Sequence, residues 1–209
     1  MKLILLGPPG AGKGTLAVRA VDIVNVPHIS TGAIFRSAIT AQSPLGLKVK
    51  AIIESGKLVD DETTIELVKE RLSQDDVQAG YILDGFPRTI KQAEALEKFS
   101  KIDKVINFDI PDKAVMERLS GRRVCKNCGA NYHIIFHKPK KENICDICNG
   151  ELYAREDDKE AAITKRLEVY REQTAPLIEF FRERGLLIDI DAQPRVEGVV
   201  NNFKKAIGI

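Results

Sequence analysis

The segment best suited to chemistry is a glycine-rich turn, Gly7-Pro-Pro-Gly-Ala-Gly-Lys-Gly-Thr15, which directly follows the apolar run 3–6. Glycines let backbone N–H groups approach phosphate oxygens without a Cβ in the way, and the helix that follows adds the positive end of its dipole. Lys13 supplies a full positive charge, so the pattern predicts a phosphate-binding P-loop. Gly14 stands where most P-loops have the Ser or Thr that contacts Mg²⁺, and the hydroxyl comes one residue later at Thr15. We therefore expect the metal's protein partner elsewhere.

A second group of residues has the spacing of a metal site. Cys125 and Cys128 form one Cys-x2-Cys pair, and Cys145 and Cys148 form another. This spacing predicts a tetrahedral four-thiolate zinc site, which is structural because no coordination position is left open. Two disulfides and four free thiols are the alternatives; the compartment disfavours the first and the paired spacing disfavours the second.

Two histidines, His133 and His137, lie between the cysteine pairs and are alternative metal ligands. Because four thiolates complete a tetrahedral shell, we expect both histidines at the surface or stacked on other rings.

Carboxylate and guanidinium groups at element ends are the remaining candidates. Asp84 ends an apolar strand, a position from which it would hold Mg²⁺ directly or through water. Arg88 follows shortly after, at the carboxyl end of that strand, where open α/β sheets bind ligands. Guanidinium groups bind phosphate bidentately and stay charged. The arginines at element ends or subdomain borders are Arg36, Arg88, Arg122, Arg123, Arg155 and Arg166.

The elements that position these residues alternate between strands and helices. Strands are predicted at 3–6, 27–30, 80–85, 104–110 and 186–190, with helical periodicity in most of the segments between them. Such alternation predicts right-handed βαβ crossovers and an α/β fold with a parallel five-stranded sheet flanked by helices. Residues 30–59 form a small helical excursion, and residues 122–159 form a separate zinc-bearing insertion. We expect the helix that begins near Lys159 to bend or restart around Pro176.

Composition limits the classes of function. The formal net charge of the 209 residues is only +2, which argues against nucleic acid as the main partner. No apolar run approaches the length of a membrane span. The first strand begins at once, without the features of a secretory signal, so we expect a cytoplasmic protein.

Taken together, these motifs resemble adenylate kinase, and the resemblance extends over essentially the whole chain. The matching segments are the P-loop, Ser30-Thr-Gly32 with Arg36, Asp84-Gly-Phe-Pro-Arg88 with Gln92, Gly121-Arg-Arg123, and Arg155-Glu-Asp-Asp158 with Arg166. The chain is most similar to the long bacterial form with a zinc-bearing lid. The resemblance implies reversible transfer of the terminal phosphoryl group of Mg-ATP to AMP, giving two ADP, inside a lid-closed site. It also implies three parts: a P-loop core (1–29, 60–121 and 160–209), a nucleoside monophosphate-binding subdomain (30–59) and a lid (122–159).

The resemblance also implies roles for individual residues. For ATP it implies Gly10, Ala11, Gly12, Lys13, Gly14, Thr15, Arg122, Asn131, Tyr132 and Gln193. For AMP it implies Thr31, Arg36, Lys57, Leu58, Val59, Gly85, Phe86, Pro87, Arg88, Gln92, Arg155 and Arg166, with Gln92 reading the adenine. The implied catalytic residues are Lys13, Asp84, Arg88, Arg122, Arg155 and Arg166, with Asp157 and Asp158 orienting the arginines. The expected cofactors are Mg²⁺ with ATP and structural Zn²⁺, and the expected partners are ATP, AMP and ADP, with neither nucleic acid nor membrane. We expect a monomer because every inferred site is complete within one chain.

Three alternatives remain open. The motifs are shared by kinases for other nucleoside monophosphates, and only Gln92 and Thr31 argue for adenine. A P-loop hydrolase without an acceptor would leave the second group of arginines unexplained. A nucleotide-gated nucleic-acid binder would use the cysteine knuckles and Lys138-Pro-Lys-Lys141 and would bind in a salt-sensitive way. The near-neutral charge and the lack of an aromatic stacking platform argue against that third alternative.

Overall fold

The computed structural model describes all residues, 1–209. The strands are β1 (Lys2–Leu6), β2 (His28–Ser30), β3 (Tyr81–Asp84), β4 (Lys104–Asp109), β5 (Arg122–Cys125), β6 (Asn131–His133), β7 (Leu152–Tyr153) and β8 (Leu187–Asp191). The α-helices are α1 (Lys13–Val24), α2 (Thr31–Thr40), α3 (Pro44–Glu54), α4 (Asp61–Leu72), α5 (Ile90–Glu97), α6 (Asp112–Ser120), α7 (Glu160–Val169), α8 (Pro176–Glu183) and α9 (Val196–Ile207).

The main sheet has five parallel strands in the order β2-β3-β1-β4-β8, which confirms the predicted α/β architecture. Parallel strands bring their carboxyl ends to one edge of the sheet. In this register Asp84 lies opposite Leu5 on one side and Ser30 on the other. The P-loop, Asp84 and the start of α2 therefore meet at one edge.

The core has two layers because successive side chains of a strand point to opposite faces. Leu3 and Leu5 pack into one cluster with residues of α1, α6 and α9. Ile4 and Leu6 pack into the other cluster, against α4, α5 and α8. Leu3 and Ile4 are fully buried, so β1 is covered on both faces and gives the P-loop a rigid base.

Two smaller units extend from this core. Helices α2 and α3 pack on a small cluster built around Phe35, Val49 and Val59. They approach closely at Gly46, where a Cβ would lie 2.0 Å from the carbonyl oxygen of Ala38. The other unit is an antiparallel sheet, β6-β5-β7, inserted between α6 and α7.

The predicted break near Pro176 is confirmed. A π-helical turn, Tyr170–Thr174, connects α7 to α8, and Pro176 occupies the first turn of α8, where no N–H is needed. None of the nine helices is both long and apolar enough to cross a lipid bilayer.

Candidate active site

The P-loop joins β1 to α1 in a conformation that requires glycine. Gly7, Gly10 and Gly12 all have positive φ, and a Cβ at Gly10 would lie 2.8 Å from the Leu119 side chain. The Lys13 ammonium donates to the carbonyl oxygens of Gly7 at 2.6 Å and Pro8 at 2.7 Å, which fixes the charge over the loop. Burial, partly offset by Asp84, lowers the pKa of Lys13 to about 8.

Asp84 lies next to the first turn of α1, as its place at the end of β3 predicted. A Cβ at Gly14 would be 3.4 Å from Asp84 Oδ2, so the glycine leaves the carboxylate close to the P-loop helix. Burial disfavours the ionised carboxylate. His28, whose Nε2 lies 3.5 Å from Oδ2, and the charge of Lys13 nevertheless hold the pKa of Asp84 below its ordinary value. An ionised carboxylate at this position is a suitable oxygen ligand for Mg²⁺ or its bound water.

Two aspartates organise the arginines at the base of the lid. Asp158 accepts from Arg122 Nε at 2.7 Å and from Arg166 Nη1 at 2.9 Å, and its side chain is only 2% exposed. Asp157 Oδ2 lies 3.2 Å from the same Arg166 nitrogen. Two cations that share one buried carboxylate keep a fixed spacing, so Asp157 and Asp158 contact the arginines that the resemblance implies they orient.

The arginine cluster carries more positive charge than its aspartates balance. Six cations surround the site against three carboxylates: Lys13, Arg36, Arg88, Arg122, Arg155 and Arg166 face Asp84, Asp157 and Asp158. Burial, followed by the charges of Arg122 and Arg36, lowers the pKa of Arg155 to about 9. The Arg155 Nε is buried without a hydrogen-bond partner. An unpaired donor among crowded cations makes this cluster a candidate anion-binding site.

A cleft opens between the main sheet and helices α2 and α3. Its lining includes most of the residues predicted for the monophosphate: Thr31, Arg36, Lys57, Leu58, Val59, Gly85, Arg88, Gln92 and Arg166. Phe86 and Pro87, by contrast, are buried beneath the cleft surface and do not line it. The loop from β3 to α5 is fixed at Gly85, whose carbonyl accepts from Thr31 Oγ1 and Arg88 Nε, both at 2.8 Å.

The residues predicted to contact ATP from the lid and the C-terminal region are more dispersed. Asn131 and Gln193 are exposed, whereas Tyr132 is buried, with its hydroxyl 3.5 Å from Cys145 Sγ.

Sequence reasoning missed Arg118, which donates to the carbonyl oxygens of Ala11 at 3.2 Å and Gln193 at 3.1 Å. Arg118 therefore joins the P-loop to the β8–α9 loop. In the sequence it is an ordinary cation in the last turn of a helix, and no motif signals this role.

The four cysteines form the only metal-type cluster of Cys, His and carboxylate groups in the chain. Their sulfur atoms all lie within 4.8 Å of one another, which fits a single ion held by Cys125, Cys128, Cys145 and Cys148. Burial opposes ionisation of Cys145, but hydrogen bonds from Tyr132 and backbone N–H groups lower its pKa to about 6. The pKa of Cys125 is also lowered, whereas the pKa values of Cys128 and Cys148 are raised, so the cluster favours the metal-binding thiolate form at Cys125 and Cys145 only.

His133 adopts the second of the two expected arrangements, because its ring stacks on Phe136. The residue is also buried. Nε2 lies 3.1 Å from the carbonyl oxygen of Glu117, and a Cβ at Gly121 would lie 2.3 Å from the ring. The pairing with Gly121 spans twelve positions and leaves no local sequence signal. His137 is exposed, with its ring 5.1 Å from that of Tyr132.

Comparison with known proteins agrees with this geometry. The family model described as adenylate kinase matches residues 5–186. The chain belongs to the adenylate kinase family. Similar adenylate kinases include that of Treponema denticola, 61% identical over 98% of both chains. That of Caldicellulosiruptor saccharolyticus is 53% identical over the full length of both chains. The adenylate kinase of Methanocella arvoryzae is 50% identical over 99% of this chain and 98% of its own.

Membership of the adenylate kinase family makes the chain a phosphotransferase with a nucleotide-binding P-loop fold. Family membership argues against two of the three alternatives and leaves the remaining one, the identity of the monophosphate, to the residues of the cleft. A nucleic-acid binder and a hydrolase without an acceptor do not account for the relatives' shared name over their full length. The identity of the preferred monophosphate depends on the residues that line the cleft.

Proposed function

We propose that this chain transfers the terminal phosphoryl group of Mg-ATP to AMP, reversibly and in line, giving two ADP. The observation that carries the proposal is that the P-loop and the cleft share one set of cations. Arg88 and Arg166 line the cleft, and their positive charges also lower the pKa of Lys13 in the P-loop. Donor and acceptor phosphates would therefore meet within a single cationic cluster, which is the main requirement of phosphoryl transfer.

Each group has a role that follows from its chemistry. Backbone N–H groups of 10–15 and the Lys13 ammonium would hold the transferring phosphate of ATP. Arg36 and Arg88 would hold the AMP phosphate, while Arg122, Arg155 and Arg166 would neutralise charge on the phosphoryl group in transit. No general base is needed, because the acceptor phosphate oxygen is already a nucleophile.

Asp84 would hold Mg²⁺, directly or through a bound water. The ion supplies further neutralisation of the ATP phosphates when it is bound. The fit is supported by the lowered pKa of Asp84, which keeps an oxygen donor ionised beside the P-loop helix. His28 contributes by keeping Asp84 ionised.

We propose that the chain has three parts, because the P-loop, the cleft and the cysteine-bearing insertion lie on different segments. The core would comprise 1–29, 60–121 and 160–209, with 30–59 holding AMP and 122–159 covering ATP through Arg122, Asn131 and Tyr132. Gln193 would meet the adenine of ATP through its backbone, beside Arg118. Closure of the two smaller parts would exclude water, the competing nucleophile.

We propose structural zinc as the occupant of the four-cysteine cluster. The thiolate set, the mutual distances and the stabilised Cys145 thiolate all suit Zn²⁺, and four protein ligands leave no position for a reacting water. We also propose that the chain works as a cytoplasmic monomer on ATP, AMP and ADP, without nucleic acid or membrane as partner. Every residue invoked lies in one chain, which supports this.

Lys13 predicts a proton linkage in ATP binding. Its pKa of about 8 means that the ammonium is largely deprotonated at pH 9, and a bound triphosphate would raise that pKa again. Binding at pH 9 is therefore expected to take up about one proton, and binding at pH 7 none through this group. Titration calorimetry in buffers of different ionisation enthalpy measures the uptake. Equal uptake by wild type and Lys13→Gln at pH 9 would assign the proton to another group.

An acceptor panel tests the proposed function. Initial rates of ADP formation from Mg-ATP with AMP, UMP, CMP or GMP, and with no acceptor, are compared. We expect AMP to be used fastest and the reaction without acceptor to be negligible. Faster use of another monophosphate would keep the mechanism but change the substrate. ADP and inorganic phosphate formed without any acceptor would indicate a hydrolase.

A further inference from the structure

Asp61, a charged residue outside the predicted site, holds the side chain of Gln92, the residue proposed to read the adenine. Gln92 lines the cleft but is only 1% exposed, and its amide is held from both sides. Its Oε1 accepts from the backbone N–H of Arg88 at 2.8 Å. Its Nε2 donates to Asp61 Oδ1, also at 2.8 Å. Asp61 lies in the first turn of α4, thirty-one positions away in the chain.

These two partners determine which end of the Gln92 amide is the oxygen and which is the nitrogen. A backbone N–H can only donate, and an ionised carboxylate oxygen can only accept. If the amide turned over, Nε2 would face the Arg88 N–H and Oε1 would face the Asp61 oxygen. Two donors and two acceptors would then oppose each other in a buried place, which is costly. The orientation of the Gln92 amide is therefore set by its two hydrogen-bond partners.

Asp61 is itself held in place. The same Oδ1 accepts from the Thr89 hydroxyl at 3.0 Å, and Thr89 Oγ1 accepts from the Gln92 backbone N–H at 3.2 Å. Thr89, the residue before α5, thus connects the carboxylate to the first turn of the helix that carries Gln92. The side chains of Asp61, Thr89 and Gln92 and the backbone N–H of Gln92 form a closed ring of hydrogen bonds that joins α4 to α5.

We infer that Asp61 is the positioning residue that makes Gln92 selective for an amino base edge over an oxo base edge. The inference rests on the proposed function and concerns its acceptor. The fixed amide has one Nε2–H and one Oε1 lone pair left for a ligand. Adenine offers the complementary pair, an acceptor at N1 and a donor at the 6-amino group. Guanine and hypoxanthine offer the reverse, a donor at N1 and an acceptor at O6, and would need the amide to turn over.

The comparison of AMP with IMP isolates this edge, because the two monophosphates differ only at N1 and at the 6-position. The experiment measures kcat/KM and KM for both acceptors with saturating Mg-ATP. The proteins are wild type, Asp61→Ala and Asp61→Asn. The control is Asp60→Ala, because Asp60 caps the same helix by accepting from the Thr63 N–H at 2.8 Å and makes no bond to Gln92.

We expect Asp61→Ala to reduce the preference for AMP over IMP by about tenfold to a hundredfold, mainly through a higher KM for AMP. Its KM for ATP is expected to change by less than about twofold, since Asp61 touches no ATP-site group. Asp61→Asn keeps an acceptor oxygen and is expected to retain most of the preference. Asp60→Ala is expected to lower the melting temperature and leave the preference unchanged.

Equal loss of activity toward AMP and IMP in Asp61→Ala would overturn the inference and leave Asp61 a purely structural residue. Equilibrium binding of AMP and IMP, measured by calorimetry at low temperature, gives the same ratio without turnover and tolerates a less stable variant. If wild type formed no ADP from AMP, the proposed function would fail. The binding ratio would still test Asp61 in that case, so the two failures are distinguishable.

Discussion

Lys13→Gln is expected to lower the rate of phosphoryl transfer by about 10³-fold, the loss found when a single well-placed donor is removed from a transition-state site. The ammonium is held over the P-loop by the carbonyl oxygens of Gly7 and Pro8, so its charge is already in place before reaction. A neutral amide keeps some hydrogen bonding but cannot neutralise charge on the phosphoryl oxygens. The effect is expected mainly in kcat.

The same substitution is expected to leave the fold at least as stable at pH 7. Burial lowers the pKa of Lys13 from 10.5 to about 8, so folding disfavours its charged form by about 3 kcal/mol. This penalty is complete below pH 8, where Lys13 is charged in both folded and unfolded chains. It fades as the pH rises from 8 to 10.5, where only the unfolded chain remains protonated.

Rates and melting temperatures of Lys13→Gln, measured from pH 7 to pH 10.5, check both parts. The control is Lys98→Gln, which changes an exposed lysine at the end of α5. We expect the control to match wild type in both measurements. A Lys13→Gln protein that loses activity in parallel with its folded fraction would mean that Lys13 is structural rather than catalytic.

Removal of metal from the four-cysteine cluster is expected to unfold the lid. The buried apolar cluster of this insertion has only four members, and two of them are the proposed metal ligands Cys125 and Cys145. So small a core cannot offset the entropy of ordering 122–159, so metal binding must supply most of the folding energy. We expect purified protein to contain one zinc per chain, and Cys125→Ser/Cys145→Ser to contain none.

Loss of the metal should lower kcat/KM for ATP more than it lowers the affinity for AMP. We expect kcat/KM for ATP to fall by at least about 100-fold, because Arg122 and the lid residues lose their fixed positions. The affinity for AMP should change by less than about threefold, since its cleft is built mainly from other segments. The control is Lys126→Ala, which removes an exposed lid ion pair with Glu151 and should have little effect. Full activity without metal would contradict the structural role.

The features that sequence predicted correctly are encoded locally. The P-loop glycines, the apolar run of β1 and the Cys-x2-Cys pairs each specify their conformation within a few residues. The parallel sheet followed from the alternation of strands and helices. Pro176 marked the break before α8 for the same reason, because proline can begin a helix but cannot continue one.

The features that sequence missed depend on partners far away in the chain. Arg118 contacts Ala11 and Gln193, which lie 107 and 75 positions from it. Asp61 has the residue type expected of any acidic side chain in the first turn of a helix, and its contact with Gln92 exists only because α4 packs on α5. The burial of His133 could not be predicted, because the space for its ring is created by the missing side chain of Gly121. Such pairings are set by tertiary structure, and residue type alone does not reveal them.

The most direct test of the central claim is ³¹P NMR of Mg-ATP with catalytic amounts of protein, with and without AMP, and of Mg-ADP alone. We expect two ADP to form for each ATP consumed when AMP is present, and no inorganic phosphate. We also expect ATP and AMP to form from ADP alone, because the same cluster of cations serves both directions. Inorganic phosphate released at a rate independent of AMP would contradict phosphoryl transfer to AMP.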